Sequence, residues 1–378
     1  MKISHSPSLI LAMTVAAAIL LAGRAAYCLE YHLRGQASLL ANGRSLDDEG
    51  YYIGEARYLP QVTLTGGIGK NNLIDLEASL DAFARAGSED GADTSAVDLY
   101  RLKLRFATPR SETRIGLQQL NFGPAYLLRP LRWFDRLDPR DPLGLTDGVY
   151  ALSFRYVAAT NASIWLWGLY GNDEPKGYEM LATPDDEVEF GGRMQVPVSS
   201  GEVALTFHRR TVTAPGPYAE DFPEYRYALD GRWDIEIGLW LEAVLTHQKS
   251  EFLPFEWRQM VTLGGDYTLP LGNGPHVLME HMAVDAAARP LEWDEDSHVS
   301  GLMVGYPLGL MDRLTAIGFY SWEDKEYSQF LGWQRAWDRF TLEVSVFHYP
   351  DGGGSVYPGG AGVLGGGSGG QLVFIFNH

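Results

Sequence analysis

The chain has 378 residues, with 30 lysines and arginines against 48 aspartates and glutamates, and a formal net charge of −18 at pH 7. This balance argues against nucleic acid as a partner, because nucleic-acid binding requires clustered basic residues. The single cysteine, Cys28, rules out disulfides, thiolate metal sites and haem-attachment motifs within the chain, and no cofactor is predicted.

The first thirty residues have the layout of a cleavable secretory signal. Lys2 supplies a basic start, the run Leu9–Ala22 is uninterrupted and apolar, and small residues follow it. This run is too short to span a bilayer comfortably as a helix of the mature protein. We therefore predict a signal peptide over residues 1–28, export through the inner membrane, and a mature chain over residues 29–378.

From residue 31 onward the apolar pattern has a period of two, which is the period of a β-strand. In Ile237–Gln248 the apolar residues share one face, while Glu242 and Thr246 share the other. The segments Glu202–Arg210 and Tyr100–Phe106 alternate in the same way. No second run of eighteen apolar residues follows the signal, so a helical membrane protein is excluded.

The links between the periodic segments alternate between short and long. The short turns are Gly69 to Asn72, Thr108 to Thr113, Ala159 to Ala162, Pro197 to Gly201, Asp234 to Ile237, Pro270 to Pro275, Pro307 to Asp312 and Ala336 to Arg339. The long links are Gly43 to Gly50, Gly87 to Ser95, Gly123 to Gly148, Gly171 to Asp186, Ala214 to Glu224, Ala286 to Ser297 and Asp351 to Gly370.

This alternation predicts an all-β protein, a single antiparallel transmembrane β-barrel of about 18 strands (16 to 18) in a bacterial outer membrane. Such barrels have an even strand count, short turns in the periplasm and long loops outside. A soluble sandwich also alternates along its strands, but it has no reason to keep its long loops on every second connection. The final segment Gln371–His378 resembles the C-terminal strand by which outer-membrane proteins are recognised for insertion.

The alternation assigns apolar faces to lipid and polar faces to the lumen. Leu205 and Leu241 are expected to face lipid, whereas Glu242 is expected to face the lumen and to tolerate replacement by arginine. The candidate pore-lining residues on the strands are Arg101, Lys103, Arg105, Arg114, Arg155, Glu189, Arg193, Arg210 and Glu242. These charges either are simply solvated or set a transverse field that controls ion selectivity.

The segment Gly123–Gly148 is too long for a turn and combines charges with enough apolar mass to be ordered. If it folds into the lumen, its leucines and aromatic residues should pack against the wall. Its charged side chains should then meet the solute path, and the alternative is a loop that folds outward as a lid or docking surface. The candidate constriction residues of this segment are Arg129, Arg132, Asp135, Arg136, Asp138, Arg140 and Asp141.

The segment that leads into this long link, Gly116–Gly123 (GLQQLNFG), and the segment that follows it, Asp147–Val149, resemble patterns seen in porin-like and alginate-export-like barrels. In porins a third external loop folds into the barrel and narrows it. The resemblance covers some forty residues and implies an outer-membrane channel for small polar solutes or ions. The expected partners are outer-membrane lipid, lipopolysaccharide and these solutes.

Two other classes of function stay open. A barrel of this kind could enclose a periplasmic multihaem cytochrome as an electron conduit, and any haem would belong to that partner because the chain has no Cys-x-x-Cys-His motif. An outer-membrane hydrolase is the weaker alternative. The histidines that it could use are His208, His247, His281 and His298. No serine lies in a nucleophile-elbow sequence, so no enzymatic activity is predicted.

Overall fold

The computed structural model describes residues 29–46, 49–88, 92–213, 221–249, 254–293, 296–350 and 367–378. The predicted signal peptide, residues 1–28, lies outside these ranges, and so do parts of several predicted loops. Within the described ranges the regular elements are strands, and no helix is long and apolar enough to cross a membrane.

The strands follow one another along the chain at the spacing that the period-two pattern predicts. They are β1 (Leu29–Leu46), β2 (Glu49–Ile68), β3 (Asn72–Gly87), β4 (Thr94–Ala107), β5 (Ser111–Gln118), β6 (Val149–Val157), β7 (Ser163–Tyr170), β8 (Val188–Val198), β9 (Gly201–Thr213), β10 (Asp221–Ile235), β11 (Ile237–Gln248), β12 (Trp257–Thr268), β13 (His276–Ala287), β14 (Ser297–Pro307), β15 (Asp312–Ser321), β16 (Glu326–Ala336), β17 (Phe340–Tyr349) and β18 (Gly367–Asn377).

Each strand pairs antiparallel with the next, and the last strand returns to the first. The closing ladder between β1 and β18 runs from the pair Gln36–Asn377 to the pair Ser45–Ser368. The predicted single antiparallel barrel of about eighteen strands is therefore confirmed. Closure matters physically because backbone groups in hydrocarbon must find their partners within the protein.

The links at one end of the barrel are short, and most of the longer links lie at the other end, as predicted. One predicted long link, Gly43 to Gly50, is wrong. Strands β1 and β2 pair as far as Leu46 and Glu49, which leaves only residues 47–48 between them. The polar and glycine residues there do not stop the ladder, because each strand continues to offer the other a complete set of backbone partners.

The outer wall is apolar and the alternation assigns its residues correctly. Leu205 of β9 is 62% exposed and Leu241 of β11 is partly exposed, whereas the adjoining inward residues Thr206 and Glu242 are buried. Exposed leucines of this kind on every second position form a continuous surface suited to lipid. The predicted facing of β9 and β11 is therefore confirmed.

The inner wall departs from the sequence expectation. The inward positions of β13 to β17 were expected to be polar, but many of them are buried apolar side chains. They are Leu278, Met282, Met303, Ile317, Phe319, Phe330, Phe347 and Tyr349. Apolar residues can occupy an inner wall where another part of the chain covers them and excludes water. Here the cover comes from the link between β5 and β6.

Candidate functional site: the lumen and loop 3

The link between β5 and β6, residues 119–148, is the third at the long-loop end of the barrel and is called loop 3 here. Its residues Leu127 and Leu128 have no exposed surface and belong to the apolar cluster on the inner wall of β13 to β17. Strand β14 lies halfway round the eighteen-strand sheet from β5 and β6. Loop 3 therefore crosses the lumen and rests on the opposite wall.

Two glycines show how closely the loop fits the wall. A Cβ atom built on Gly301 of β14 would lie 3.1 Å from Leu127 Cδ1, so even alanine there would require the Leu127 side chain to shift slightly. Gly123, at the start of the crossing, has a φ of 96°, and a Cβ atom there would collide with the Glu242 carboxylate. This backbone conformation is open to glycine and strained for other residues.

Glu242 on β11 holds the first part of the crossing segment. Its Oε1 accepts the backbone N–H of Ala125 at 2.8 Å, and its Oε2 accepts the backbone N–H of Leu131 at 3.0 Å. The carboxylate is fully buried. Glu242 is therefore not the solvated lumen residue that the sequence predicted, because its carboxylate is buried and satisfies two loop amides. Arginine at this position is no longer expected to be tolerated.

Glu280 on β13 holds the tip of the loop in the same way. Its carboxylate accepts the backbone N–H groups of Tyr126 at 2.7 Å, Leu127 at 2.8 Å and Leu128 at 2.5 Å. Trp240 Nε1 donates a fourth hydrogen bond to it at 2.9 Å. Two buried carboxylates thus accept hydrogen bonds from five backbone amides between residues 125 and 131. These bonds hold the loop in place although it contains no helix or strand.

The charges at the centre of loop 3 pair with one another. Arg129 donates to both carboxylate oxygens of Asp135, at 2.6 and 3.0 Å, and to Asn121 Oδ1 at 2.9 Å. Arg132 donates to the Asp135 carbonyl at 3.2 Å, and its guanidinium lies 5.3 Å from the ring centre of Tyr178. Arg129, Arg132 and Asp135 are 6%, 1% and 1% exposed. These three side chains therefore do not meet an open solute path, contrary to the expectation.

The second half of loop 3 lies against β17, β18 and β1. Leu143 packs against the apolar cluster of Leu40, Val373 and Ile375. Arg140 forms a bidentate pair with Asp138, with contacts of 2.6 to 3.1 Å, and its guanidinium lies 4.9 Å from the ring centre of Tyr349. The tip and the second half of loop 3 thus touch one continuous stretch of the inner wall, from β13 round to β1.

Two further candidates of this segment stabilise the loop backbone. Asp141 accepts the backbone N–H groups of Leu143 and Leu145 at 2.9 and 3.0 Å, and burial raises the pKa of its carboxyl. Arg136 is exposed and donates to the carbonyl of Pro175 in the link between β7 and β8. That link, residues 171–187, is called loop 4 here.

Loops 3 and 4 cover the inner wall of β7 to β12, and we call this volume the packed region. Arg193 forms a bidentate pair with Asp230 at 2.5 and 2.7 Å. Glu189 accepts from Lys176 of loop 4 at 2.8 Å and contacts His208 Nε2 at 3.1 Å. Each of these side chains is less than a tenth exposed, so the predicted candidates Arg193 and Glu189 do not line an open path.

Arg210 belongs to the same region and is 1% exposed. It pairs with Glu224 at 2.6 Å and with Glu179 of loop 4 at 3.0 Å. An aromatic cluster fills the space beside it, where Trp133 and Phe134 of loop 3 pack on Trp167 and Phe122. The expectation that the aromatic residues of this segment pack against the wall is confirmed where Phe134 contacts Trp167 of β7. The individual partners were not predicted, because they are distant in the chain.

The inner wall of β2 to β5 carries a different set of charges, which we call the charged wall. Lys103 pairs with Glu77 at 3.1 Å, and Arg105 pairs with Asp75 at 2.8 Å. Arg114, 36% exposed at its side chain, pairs with Glu112 at 2.6 Å. The remaining members are Glu55, Arg57, Asp81 and Arg85, which pair across β2 and β3.

Two further predicted candidates flank the charged wall. Arg101 is 7% exposed and donates to the Thr146 carbonyl of loop 3 at 2.7 Å, so it anchors the loop and does not face open solvent. Arg155 on β6 is exposed, with its guanidinium 4.3 Å from the ring centre of Trp165. Arg57 and Arg85 were not among the residues predicted from the sequence, although Glu55 and Arg57 stand two residues apart and therefore share a face.

The histidines weighed for a hydrolase lie on different faces of the wall. His208 is inward and buried, and its Nδ1 accepts from Trp167 Nε1 at 3.2 Å. His281 is outward, 3.0 Å from Ser300 Oγ and 3.3 Å from His298. Among the described residues no group of three acidic, histidine or cysteine side chains is arranged to hold a metal ion.

No protein-family model and no curated protein matches the chain, but solved barrels do. An anion-selective porin from Comamonas acidovorans matches at 13% identity, over 93% of this chain and 100% of that chain, with a TM-score of 0.53. OccAB4 of Acinetobacter baumannii matches at 9% identity, over 92% of this chain and 97% of that chain, with a TM-score of 0.60. The fold is that of a bacterial porin.

A third match, OccK5 (OpdH) of Pseudomonas aeruginosa, has 9% identity over 92% of this chain and 98% of that chain, with a TM-score of 0.58. The porin-type barrel agrees with the closed ladder and the apolar outer wall described above. A closed sheet with exposed leucines on its outer face suits a membrane, because closure satisfies the backbone groups and the leucines can meet lipid. The chain is therefore a porin-like outer-membrane barrel in contact with lipid.

Proposed function

We propose that this porin-like barrel is a channel for small polar solutes or ions, and that its path follows the charged wall. The observation that carries the proposal is a difference in hydration between two parts of the inner wall. The side chains of Arg85, Arg105 and Arg114 are 28%, 33% and 36% exposed. Those of Arg193 and Arg210, beneath loops 3 and 4, are 5% and 1% exposed.

Loop 3 supports this path because it divides the lumen unequally. Its apolar tip rests on the wall of β13 to β17, and its aromatic residues fill the side of β7 to β12. Charges that keep contact with water face the other side, where an aqueous channel of a large barrel would remain. Acidic and basic side chains alternate there, as in the pairs Glu77–Lys103 and Glu112–Arg114, so the wall suits solutes of either sign.

Cysteine modification tests the position of the path. The only natural cysteine is Cys28 in the predicted signal peptide, so a mature chain carries whatever single cysteine is introduced. In planar bilayers, Lys103→Cys on the charged wall should react with a charged methanethiosulfonate reagent and change the single-channel current. Thr206→Cys, in the packed region, is the matched control and should not react. Reaction at position 206 with none at position 103 would contradict the proposed path.

The sheath for a multihaem cytochrome, considered from the sequence, gains no support from the comparisons. Loop 3 also crosses the lumen, within which such a partner would have to lie. If the purified protein gave no current in bilayers, the proposal that it is a channel for solutes would be contradicted.

A further inference from the structure

A cavity of about 220 Å³ lies inside the packed region, between the wall of β9 to β12 and the two loops. Trp133 of loop 3 and Tyr178 of loop 4 bound it, together with Met260 of β12. Met180 of loop 4, 83% exposed, stands at its rim, so the cavity adjoins the long-loop end of the barrel. Its size suits a small molecule and not a polymer.

Most charges around the cavity are matched within the protein. Glu224 pairs with Arg210 at 2.6 Å and with Arg226 at 2.6 Å, and Glu179 pairs with the same two arginines at 3.0 and 2.8 Å. Two carboxylates thus balance two guanidinium groups. Lys176, which also contacts Glu179, has its own partner in Glu189 at 2.8 Å.

Arg258 on β12 is the exception. It is paired with Thr246 of β11 in the ladder and therefore points inward, into the cavity. Among the described residues it has no carboxylate within salt-bridge distance, and its one polar contact is the sulfur of Met260 at 3.7 Å. A half-buried guanidinium with so few protein partners keeps its N–H donors available, and a carboxylate anion can complete their hydrogen bonds.

We propose that this cavity is a binding site for a small organic monocarboxylate that carries an apolar or aromatic group, with Arg258 as its anchor. A single excess positive charge matches one carboxylate, whereas a dianion would meet repulsion from Glu179 and Glu224. A guanidinium can hold a carboxylate through two parallel hydrogen bonds. Trp133, Tyr178 and the methionine side chains provide the apolar surface for the rest of the molecule.

The site deepens the proposed channel function, because it would hold a solute near the mouth of the lumen. It is also testable apart from conduction. Isothermal titration of the purified full chain in detergent micelles with benzoate should show saturable binding of one molecule per chain. Benzamide, which has the same shape without the charge, and inorganic phosphate should show no saturable binding.

Arg258→Met keeps the length of the side chain and removes its charge, and it should weaken benzoate binding at least about ten-fold. Arg209→Met is the matched control, because Arg209 is the neighbouring outward arginine and lies 5.8 Å from the ring centre of Phe190. It should bind benzoate as the unaltered protein does. Heat-modifiable migration on gels verifies that each variant is folded.

Equal binding of benzoate and benzamide would overturn the proposal, and so would undiminished binding to a folded Arg258→Met variant. Phosphate binding in place of benzoate would show that the cavity is an anion site of another class. Benzoate binding without any bilayer current would leave this site standing and remove the channel. A current without benzoate binding would leave the channel standing and remove the binding site.

Discussion

The packed region and the charged wall are built from the same kinds of residue, yet their ion pairs are exposed to water to different extents. Both carry rows of inward arginines paired with carboxylates on neighbouring strands. In the packed region Arg193 and Asp230 are 5% and 4% exposed at their side chains, whereas Arg105 and Glu112 on the charged wall are 33% and 23% exposed. The alternating pattern of the strands does not distinguish the two regions. The difference in exposure comes from loops 3 and 4, which cover only the packed region.

This comparison shows that an inward charge has no fixed role in a large barrel. Beneath loops 3 and 4 an ion pair is structural, because breaking it leaves an uncompensated charge without water. On the charged wall a similar pair is screened and contributes little to the free energy of unfolding. The channel path proposed above follows the same wall, where fixed charge would act on a passing solute.

The largest expected effect is on the carboxylate that holds loop 3. Glu242→Arg removes the acceptor for the amides of Ala125 and Leu131 and buries a cation beside them. We expect it to lower the free energy of unfolding by about 3–5 kcal/mol. The measurement is the denaturant midpoint of the folded band on unheated gels. Glu202→Arg, at an exposed inward position of β9, is the control and should have little effect. Equal effects would mean that the loop does not depend on Glu242.

The outer wall offers the next effect. Leu205→Arg places a charge on the apolar face, and we expect a cost of about 2–4 kcal/mol if the residue lies near the bilayer midplane. Folding yield into lipid vesicles measures it. Leu205→Ala is the control, since it removes apolar area without adding charge. If both variants fold equally well, the assignment of this face to lipid is wrong.

A smaller change should loosen the tip of loop 3. Glu280→Gln keeps the shape of the side chain but leaves one oxygen to accept the amides of Tyr126, Leu127 and Leu128. We expect a cost of about 1–3 kcal/mol and a noisier single-channel current with a larger mean conductance. Glu343→Gln, another inward glutamate on β17, is the matched control. An unchanged current in Glu280→Gln would show that the tip is held by its leucines alone.

The smallest effect concerns ion preference and separates the two regions most directly. Neutralising Arg105 and Arg114 together to glutamine should shift the reversal potential in a salt gradient modestly towards cations. Neutralising Arg129 and Arg132 should instead destabilise loop 3 and, in the folded fraction, leave the reversal potential unchanged. The opposite result would restore the sequence-based hypothesis that Arg129 and Arg132 face the solute path.

The barrel could be predicted from the sequence because the features that specify it are local in the chain. The alternation in Glu202–Arg210 and Ile237–Gln248 assigns each side chain to a face, and the lengths of the links assign each end of the barrel. Pairing is then forced, since each strand needs its neighbours to satisfy its backbone. The one misplaced loop, Gly43 to Gly50, consists of residues that favour turns but can also continue a ladder.

The site was only partly predictable. The sequence located loop 3 by its length and its mixed composition, and it named Lys103, Arg105 and Arg114, which belong to the charged wall. It could not tell that Arg129 pairs with Asp135 or that Glu280 accepts three loop amides, because these contacts depend on where the loop comes to rest. It also missed Arg258, a single arginine in an ordinary strand.

The sequence by itself thus determined the number of strands, their facing, the closure of the sheet and the apolar outer wall, all of which follow from a period of two and from backbone pairing. Only the tertiary structure decided which inward residues meet water. Loop 3 reaches from β5 to the opposite wall and buries Leu127 and Leu128 against β13 to β17. The hydration of each inner side chain depends on that crossing, and no local pattern in the strands records it.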